Sequence, residues 1–300
     1  MEQQQQNKLG LNEKSGLFIL IGLMGVGFVI GTFLSITILH LMTGQDMAQM
    51  QLSMSDPQYA NSVRVSQTAA SICIFLLPAL IVARMMDKQP LAYLGLRQRS
   101  SLVTYLLTVL LMLLTIVIGG SMAKINEMIP LAPQMELYFR NMEEVYMKQI
   151  EVMSQMSNWG DFFVALVVMA LAPAVVEEVF FRGGFQNLMY RSTGNFWVAI
   201  IVTSLLFSAI HFSFYGFLTR LTLSIVLGLL YAQTRNLWMP ILAHFINNAI
   251  GVGEIFYLRT TNQSLEDGVG DKFPIWWGVL ALTAFLFLYK RFQKQLSYGA

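Results

Sequence analysis

Charged residues are scarce in this chain of 300 residues: Asp, Glu, Lys and Arg together make up 12% of it, whereas hydrophobic residues make up 55%. An average soluble domain carries about twice that charged fraction. The chain therefore has too little polar surface to fold as a soluble domain. The composition predicts a polytopic membrane protein with the lipid bilayer as a partner, and we expect no nucleic-acid partner.

Cysteine and histidine are also scarce. The single cysteine, Cys73, excludes an intramolecular disulfide and a metal cluster built from several cysteines. The histidines are His40, His211 and His244. Any histidine chemistry is therefore confined to a few positions.

Long apolar runs are abundant. About 18 or more apolar residues are enough for a helix to cross the hydrocarbon core, which is roughly 30 Å thick. The first run is too long for the apolar part of a signal peptide, so we expect it to stay as an anchor. We predict a tail at residues 1–15, disordered and cytoplasmic, and a single transmembrane domain at 16–300. About eight spans are expected, at residues 16–42, 63–86, 102–123, 162–184, 196–214, 217–234, 238–258 and 274–289.

Lysine and arginine collect in alternate loops. They precede the first span, separate the second from the third and follow the last, whereas the loops in between are mostly acidic. Because basic loops favour the cytoplasmic side, we predict that both termini are cytoplasmic. Apolar residues of segment 134–158 recur at steps of three and four, which is typical of an amphipathic helix on the outer membrane surface.

Two adjacent carboxylates interrupt the fourth apolar run. A charge in the middle of a bilayer costs about 2.5 to 3.5 kcal/mol even on a lenient scale, so Glu177, Glu178 and Arg182 need a compensating reason. Glu178 and Arg182 are four residues apart and can pair on one helix face. Glu177 points about 100° away, without a partner on its own helix. We interpret the pair as structural and Glu177 as a proton acceptor.

Two further polar segments follow in the C-terminal half. His211 lies one helical turn after Phe207, and His244 is four residues before Asn248. Taken singly, each has a plain structural explanation, as an interfacial histidine or as a side chain that holds helices together. Helical bundles nevertheless build sites from polar residues on separate helices. We therefore predict an all-α fold with the site in a cavity of the C-terminal helical bundle.

These three segments resemble the Glu-Glu-x-x-x-Arg, Phe-x-x-x-His and His-x-x-x-Asn motifs of the CAAX protease and bacteriocin-processing family. Members of this family, also called CPBP or Abi, are intramembrane endopeptidases related to the type II CAAX prenyl endopeptidase. The motifs occur in the expected order within a core at residues 160–260. Each motif is weak alone, but the ordered set is specific.

The resemblance implies an endopeptidase of the bacterial cytoplasmic (inner) membrane that acts on a membrane-associated protein or peptide. It implies that Glu177 and His211 activate water and that His244 and Asn248 stabilise the oxyanion. It also implies a supporting role for Glu178, Arg182 and Phe207. We favour no cofactor, although zinc or another divalent metal is left open. The biological role is left open between CAAX-type processing, bacteriocin maturation or immunity, and release of a regulator. The oligomeric state is also left open.

Other mechanisms are open at the same residues. Glu177, His211 and His244 could hold zinc, with Glu178 as the base. The sequence has no His-Glu-x-x-His helix, so we favour the metal-free route. A serine mechanism is disfavoured because Ser208 and Ser213 flank His211 without a nucleophile-elbow pattern.

Other functions are also open. In a transporter or channel, the same polar residues would relay protons or bind an ion. No inverted repeat is visible, and the polar residues converge on three segments instead of lining a path through the bilayer. A catalytically idle scaffold is disfavoured because every motif residue is present.

The depth of the site is open, because straight spans put His211 nearer one membrane surface and Glu177 and His244 nearer the other.

Overall fold

The computed structural model describes residues 10–46, 54, 56–263 and 273–298. Within these ranges no residue belongs to a strand, and the all-α prediction is confirmed. Residues 1–9, most of the predicted tail, lie outside the described residues. The first helix begins at Glu13, where the Asn12 side chain accepts a hydrogen bond from the backbone N–H of Ser15.

The described ranges contain long helices joined by short connections. They are α1 Glu13–Thr43, α2 Pro57–Met86, α3 Leu102–Glu127, α4 Pro133–Met153, α5 Trp159–Thr193, α6 Phe196–Ala209, α7 Phe217–Thr234, α8 Trp238–Thr260 and α9 Ile275–Tyr298. Of the described helices, seven are long and apolar enough to cross a membrane: α1, α2, α3, α5, α7, α8 and α9. The chain is a polytopic membrane protein.

One expected span, at 196–214, is wrong in its length. Helix α6 ends at Ala209 after 14 residues, which is about 21 Å of helix and too short to cross the bilayer. Phe212 adopts a left-handed backbone conformation with φ 50°, and the Ser208 hydroxyl donates to the carbonyl of Phe217. Residues 210–216 therefore form a turn within the apolar run, and hydropathy alone counted this turn as helix.

The amphipathic segment forms the predicted helix, α4. Only Val152 is buried along it. Arg64 of α2 fastens its C-terminal end by donating from Nε to the carbonyl of Met153 and from Nη2 to the carbonyl of Gln155. Phe139, Arg140 and Glu143 of α4 contact the turn at 210–216, which contains His211.

Helix α5 is the longest of the described helices when its α-helical and π-helical stretches are counted as one helix, with 35 residues over Trp159–Thr193. Two stretches of it have wider, π-helical turns, at Leu166–Leu171 and at Val179–Gln186. Such turns are frequent at functional sites. The second stretch begins directly after Glu178 and contains Arg182.

The apolar core has two large parts. One joins α1, α2 and α5 through residues such as Leu20, Val82 and Phe180. The other joins α3, α7, α8 and α9, with Leu111 and Leu227 fully buried. The candidate site lies where α5, α6, α7 and α8 meet.

Candidate active site

The ion pair expected on α5 forms. Arg182 Nη1 donates to Glu178 Oε1 at 2.7 Å, and both side chains are fully buried. Arg182 Nη2 also donates to the hydroxyl of Ser224 at 2.7 Å and to its carbonyl at 3.1 Å. These bonds compensate a buried guanidinium and fix α5 against α7.

His244 joins the same carboxylate. Its Nδ1 lies 2.8 Å from Glu178 Oε1, and the ring is buried at 3% exposure. Because an ionised carboxylate only accepts hydrogen bonds, Nδ1 carries a proton and Nε2 points elsewhere. Glu178 therefore orients two side chains, from α5 and α8, through one oxygen.

Glu177 is separate from this network. Its Oε2 atom is buried and has no hydrogen-bond partner among the described residues. His244, Glu178 and Arg182 act on it electrostatically, so it lies within the same cluster. A buried carboxylate oxygen without a donor is costly, and it is available to accept a proton from a bound molecule.

Phe207 connects the three motif segments. Its ring centroid lies 5.1 Å from the ring of His211 and 5.9 Å from the ring of His244. The Arg182 guanidinium lies over the same ring at 5.0 Å. Phe207 is 1% exposed, so it is the apolar wall that α5, α6 and α8 share.

His211 lies just beyond the end of α6. Its Nδ1 is 2.8 Å from the carbonyl of Phe207. A carbonyl only accepts, so Nδ1 is the protonated nitrogen of the neutral ring and Nε2 has the lone pair. This tautomer suits a base that takes a proton from water.

Asn248 lies one turn after His244 on α8. Its Oδ1 accepts a hydrogen bond from Nδ2 of Asn247 at 3.1 Å. With the oxygen occupied, the amide nitrogen of Asn248 remains as a donor. A donor one turn from His244 is the arrangement that an oxyanion site requires.

The short α6 accounts for the depth of the site. Arg235, after α7, lies over the ring of Tyr190 in α5 at 4.5 Å, so the ends of α5 and α7 and the starts of α6 and α8 share one side. The distance from that side, measured along the helices, is about 22 Å for Glu178, slightly more than about 21 Å for His211 and about 15 Å for Asn248. The site therefore lies inside the bundle, away from that side.

The residues named in the zinc alternative are not grouped as metal ligands in the described part of the chain. Among the described residues, no three His, Cys, Asp or Glu side chains are grouped closely enough to hold a metal ion, and this includes Glu177, His211 and His244. Glu178, the base in that alternative, is fully buried and already accepts from Arg182 and His244.

The two serines beside His211 have structural partners. The Ser208 hydroxyl donates to the carbonyl of Phe217, and the Ser213 hydroxyl donates to Oε2 of Glu143. Neither donates to His211, so neither is arranged as an activated nucleophile.

A cavity of about 1060 Å³ lies beside the cluster, between α3, α4, α7 and α8. None of the seven motif residues is among the residues that line this cavity. Asn247 and Arg220 connect the two regions: Asn247 donates to Asn248, and Arg220 acts electrostatically on His211. Four carboxylates and two guanidinium groups line the cavity, those of Glu127, Glu143, Glu144, Glu254, Arg140 and Arg220.

The roles of two residues that support the site were not predicted from the sequence. Ser224 binds Arg182 from 42 positions away, and Glu143 binds Ser213 from 70 positions away. Such pairs leave no periodic signal along the chain. Only Ser224, a polar residue in an apolar span, gave a local sign of its role.

Comparison with known proteins identifies the segment that carries the motifs. Residues 159–250 match the family described as type II CAAX prenyl endopeptidase Rce1-like. A Bacillus subtilis (strain 168) protein named "Putative membrane peptidase YdiL" is 29% identical over 101 residues, 34% of this chain and 40% of that protein. A protein of the same organism named "Uncharacterized protein YpbD" is 35% identical over 111 residues, 36% of this chain and 54% of that protein.

The chain thus spans about half or less of the length of these curated relatives. No solved structure matches the chain significantly. The resemblance noted in the sequence is confirmed for the segment that carries all three motifs, which matches the Rce1-like family model.

Proposed function

We propose that the Rce1-like domain makes this protein an intramembrane endopeptidase that hydrolyses membrane-associated proteins or peptides without a metal. The observation that carries the proposal is the pair of proton acceptors inside the bundle. Glu177 Oε2 is buried without a donor, and His211 holds Nε2 unprotonated through its bond to Phe207. Two such acceptors near one cluster suit the activation of a water molecule.

The reaction follows from these roles. A water molecule donates to Glu177 and His211 and attacks the carbonyl carbon of the scissile bond, and its proton passes to one of these two bases. The same proton then moves to the amide nitrogen, the carbon–nitrogen bond breaks, and an acid and an amine leave. No protein atom becomes covalently bound to the substrate.

The hydrogen bond of His244 supports its oxyanion role. Its Nδ1 is held by Oε1 of Glu178 at 2.8 Å, which fixes the ring and directs Nε2 away from that carboxylate. An imidazole that carries protons on both nitrogens can donate from Nε2 to the substrate. Together with the Asn248 amide, it stabilises negative charge on the carbonyl oxygen.

The cavity is the proposed binding place for the substrate. Its volume of about 1060 Å³ is slightly above the usual range for small-molecule pockets, roughly 300 to 1,000 Å³, so a peptide segment fits. It borders the cluster at Asn247 and Arg220. CAAX-type processing, bacteriocin maturation or immunity, and release of a membrane-bound regulator are all compatible with a membrane-associated substrate.

The test is cleavage by the purified full chain in proteoliposomes. A library of amphipathic, membrane-anchored and C-terminally prenylated peptides is incubated with wild type and with His211→Ala, and products are identified by mass spectrometry. We expect new peptide termini with wild type only. Equal products from both proteins, or a proton or ion flux that needs Glu177 without any cleavage, would favour a scaffold or a transporter instead.

A further inference from the structure

His211 lies in a turn rather than in a helix. Residues 210–216 leave α6 with a left-handed backbone at Phe212, φ 50°. The regular hydrogen bonds of a helix therefore do not fix the chain on the C-terminal side of His211. The position of the imidazole depends on whatever holds this turn.

Ser213 is the residue that holds it. Its side chain is buried, and three hydrogen bonds meet at this residue. The hydroxyl donates to Glu143 Oε2 at 2.7 Å and accepts from the backbone N–H of Gly216 at 3.3 Å. The carbonyl of Ser213 accepts from Nη2 of Arg220 at 3.1 Å. The bond to Glu143 is the short, charge-assisted one, so it contributes most to the position of Ser213.

The contact to Glu143 is part of a wider fit between α4 and the turn. The ring of Phe139 stacks on Phe214 with centroids 4.7 Å apart. Arg140 lies over the ring of Tyr215 at 5.7 Å. Successive residues of the turn, 213 to 215, thus each contact α4. One face of α4 therefore packs against the segment that carries His211.

We propose that Glu143 of α4 is a positioning residue for His211. It holds Ser213 by the hydroxyl, and Ser213 fixes the turn so that the imidazole stays aligned with Glu177. The amphipathic helix is then a working part of the active site and more than a surface element. This inference rests on the proposed function, because it assigns Glu143 a part in the same reaction.

The kinetic test compares Glu143→Ala, Glu143→Gln and Ser213→Ala with wild type on a peptide that wild type cleaves. A displacement of about 1 Å in a catalytic group costs up to roughly 100-fold in rate, so kcat should fall by about 10- to 100-fold in Glu143→Ala and Ser213→Ala. KM should change little, since ground-state binding is left intact. Glu143→Gln should restore most of kcat, because its amide oxygen accepts the same hydrogen bond.

Two controls separate positioning from other roles. Glu151→Ala removes an exposed carboxylate from the same helix away from the cavity, and its kcat should equal that of wild type. In the double variant Glu143→Ala/Ser213→Ala, kcat should be no lower than in either single variant, because both changes break one bond. If Glu143→Gln is as defective as Glu143→Ala and KM rises in both, Glu143 acts on the substrate by its charge and the inference is wrong.

A second measurement does not depend on activity. The chain has three histidines, so the imidazole signals of protein labelled with ¹⁵N-histidine can be assigned by substitution. Glu143→Ala should shift or broaden the His211 signals and leave those of His244 unchanged. Unchanged His211 signals would overturn the inference whether or not wild type cleaves peptides. An active wild type with unchanged kcat in Glu143→Ala would overturn it while leaving the proposed function intact.

Discussion

At the scale of single residues, the two adjacent glutamates differ in their partners. Glu178 is fully buried and accepts from Arg182 and His244 through one oxygen, whereas Glu177 has a buried oxygen that accepts from no described residue. Removing one partner of a buried ion pair leaves an uncompensated charge and is strongly destabilising. Glu178 therefore has a structural role, and Glu177 is the reactive carboxylate.

Loss of Arg182 should destabilise the protein. Arg182→Ala strands the buried Glu178 carboxylate, and breaking a buried pair costs about 3 to 5 kcal/mol. The matched control is Arg140→Ala, which breaks the exposed pair with Glu136 and should barely change stability. Unfolding in detergent, followed by circular dichroism, measures both. Equal losses in the two variants would contradict the structural role of Arg182.

Asn248 should matter through its amide hydrogens. Removing one oxyanion donor usually lowers turnover by about 100- to 1000-fold, so Asn248→Ala should lose that much kcat and keep its unfolding midpoint. Asn248→Asp should be at least as inactive, because a carboxylate repels the oxyanion.

Chelation is the companion measurement. The metal-free mechanism predicts that wild type keeps its activity after exhaustive treatment with a strong chelator. Both histidines direct Nδ1 to an acceptor, a pattern that zinc ligands also show, so this experiment is needed. Activity that is lost with the chelator and returns with a stoichiometric metal would establish a metalloenzyme.

The sequence predicted the local part of the site. Four-residue spacing on a helix indicated the Glu178–Arg182 pair, and the geometry agrees. The bond from His244 to Glu178 joins positions 66 apart and could not be derived from spacing. The same holds for Glu143 and Ser213, because such contacts depend on how the helices pack.

At the scale of helices, α6 shows where a hydropathy argument fails. Residues 210–214 are apolar enough to extend the helix, yet the hydroxyl of Ser208 and the backbone of Phe212 end it. Hydropathy measures solubility in lipid, whereas a turn inside a bundle depends on hydrogen bonds to neighbouring helices. The functional consequence is that His211 lies at the depth of the glutamates.

The packing of α1 against α2 gives a prediction at the same scale. A Cβ atom added at Gly27 would collide with the carbonyl oxygen of Cys73, whereas one at Gly22 meets no atom of the described residues within 4 Å. Overpacking costs about 1 to 3 kcal/mol, so Gly27→Ala should lower the unfolding midpoint. Gly22→Ala should leave it near wild type. Equal midpoints would mean that the two helices are not in close contact.

At the scale of the whole molecule, the orientation in the membrane remains a prediction from the basic loops. A reporter that works only outside the cytoplasm should be inactive when fused at Lys88 or Lys290. It should be active at Asp56 and at Asp267, the second of which lies outside the described residues. Activity at Lys290 would place the C-terminus outside and reverse the predicted arrangement.

The central claim is that Glu177 is the catalytic base of a membrane endopeptidase. It is tested most directly by the cleavage rate of Glu177→Gln, measured beside its unfolding midpoint. Glutamine keeps the shape of the side chain and removes the proton acceptor, so we predict no measurable cleavage and a midpoint near that of wild type. Cleavage at the wild-type rate, or a loss of cleavage that comes only with unfolding, would contradict the claim.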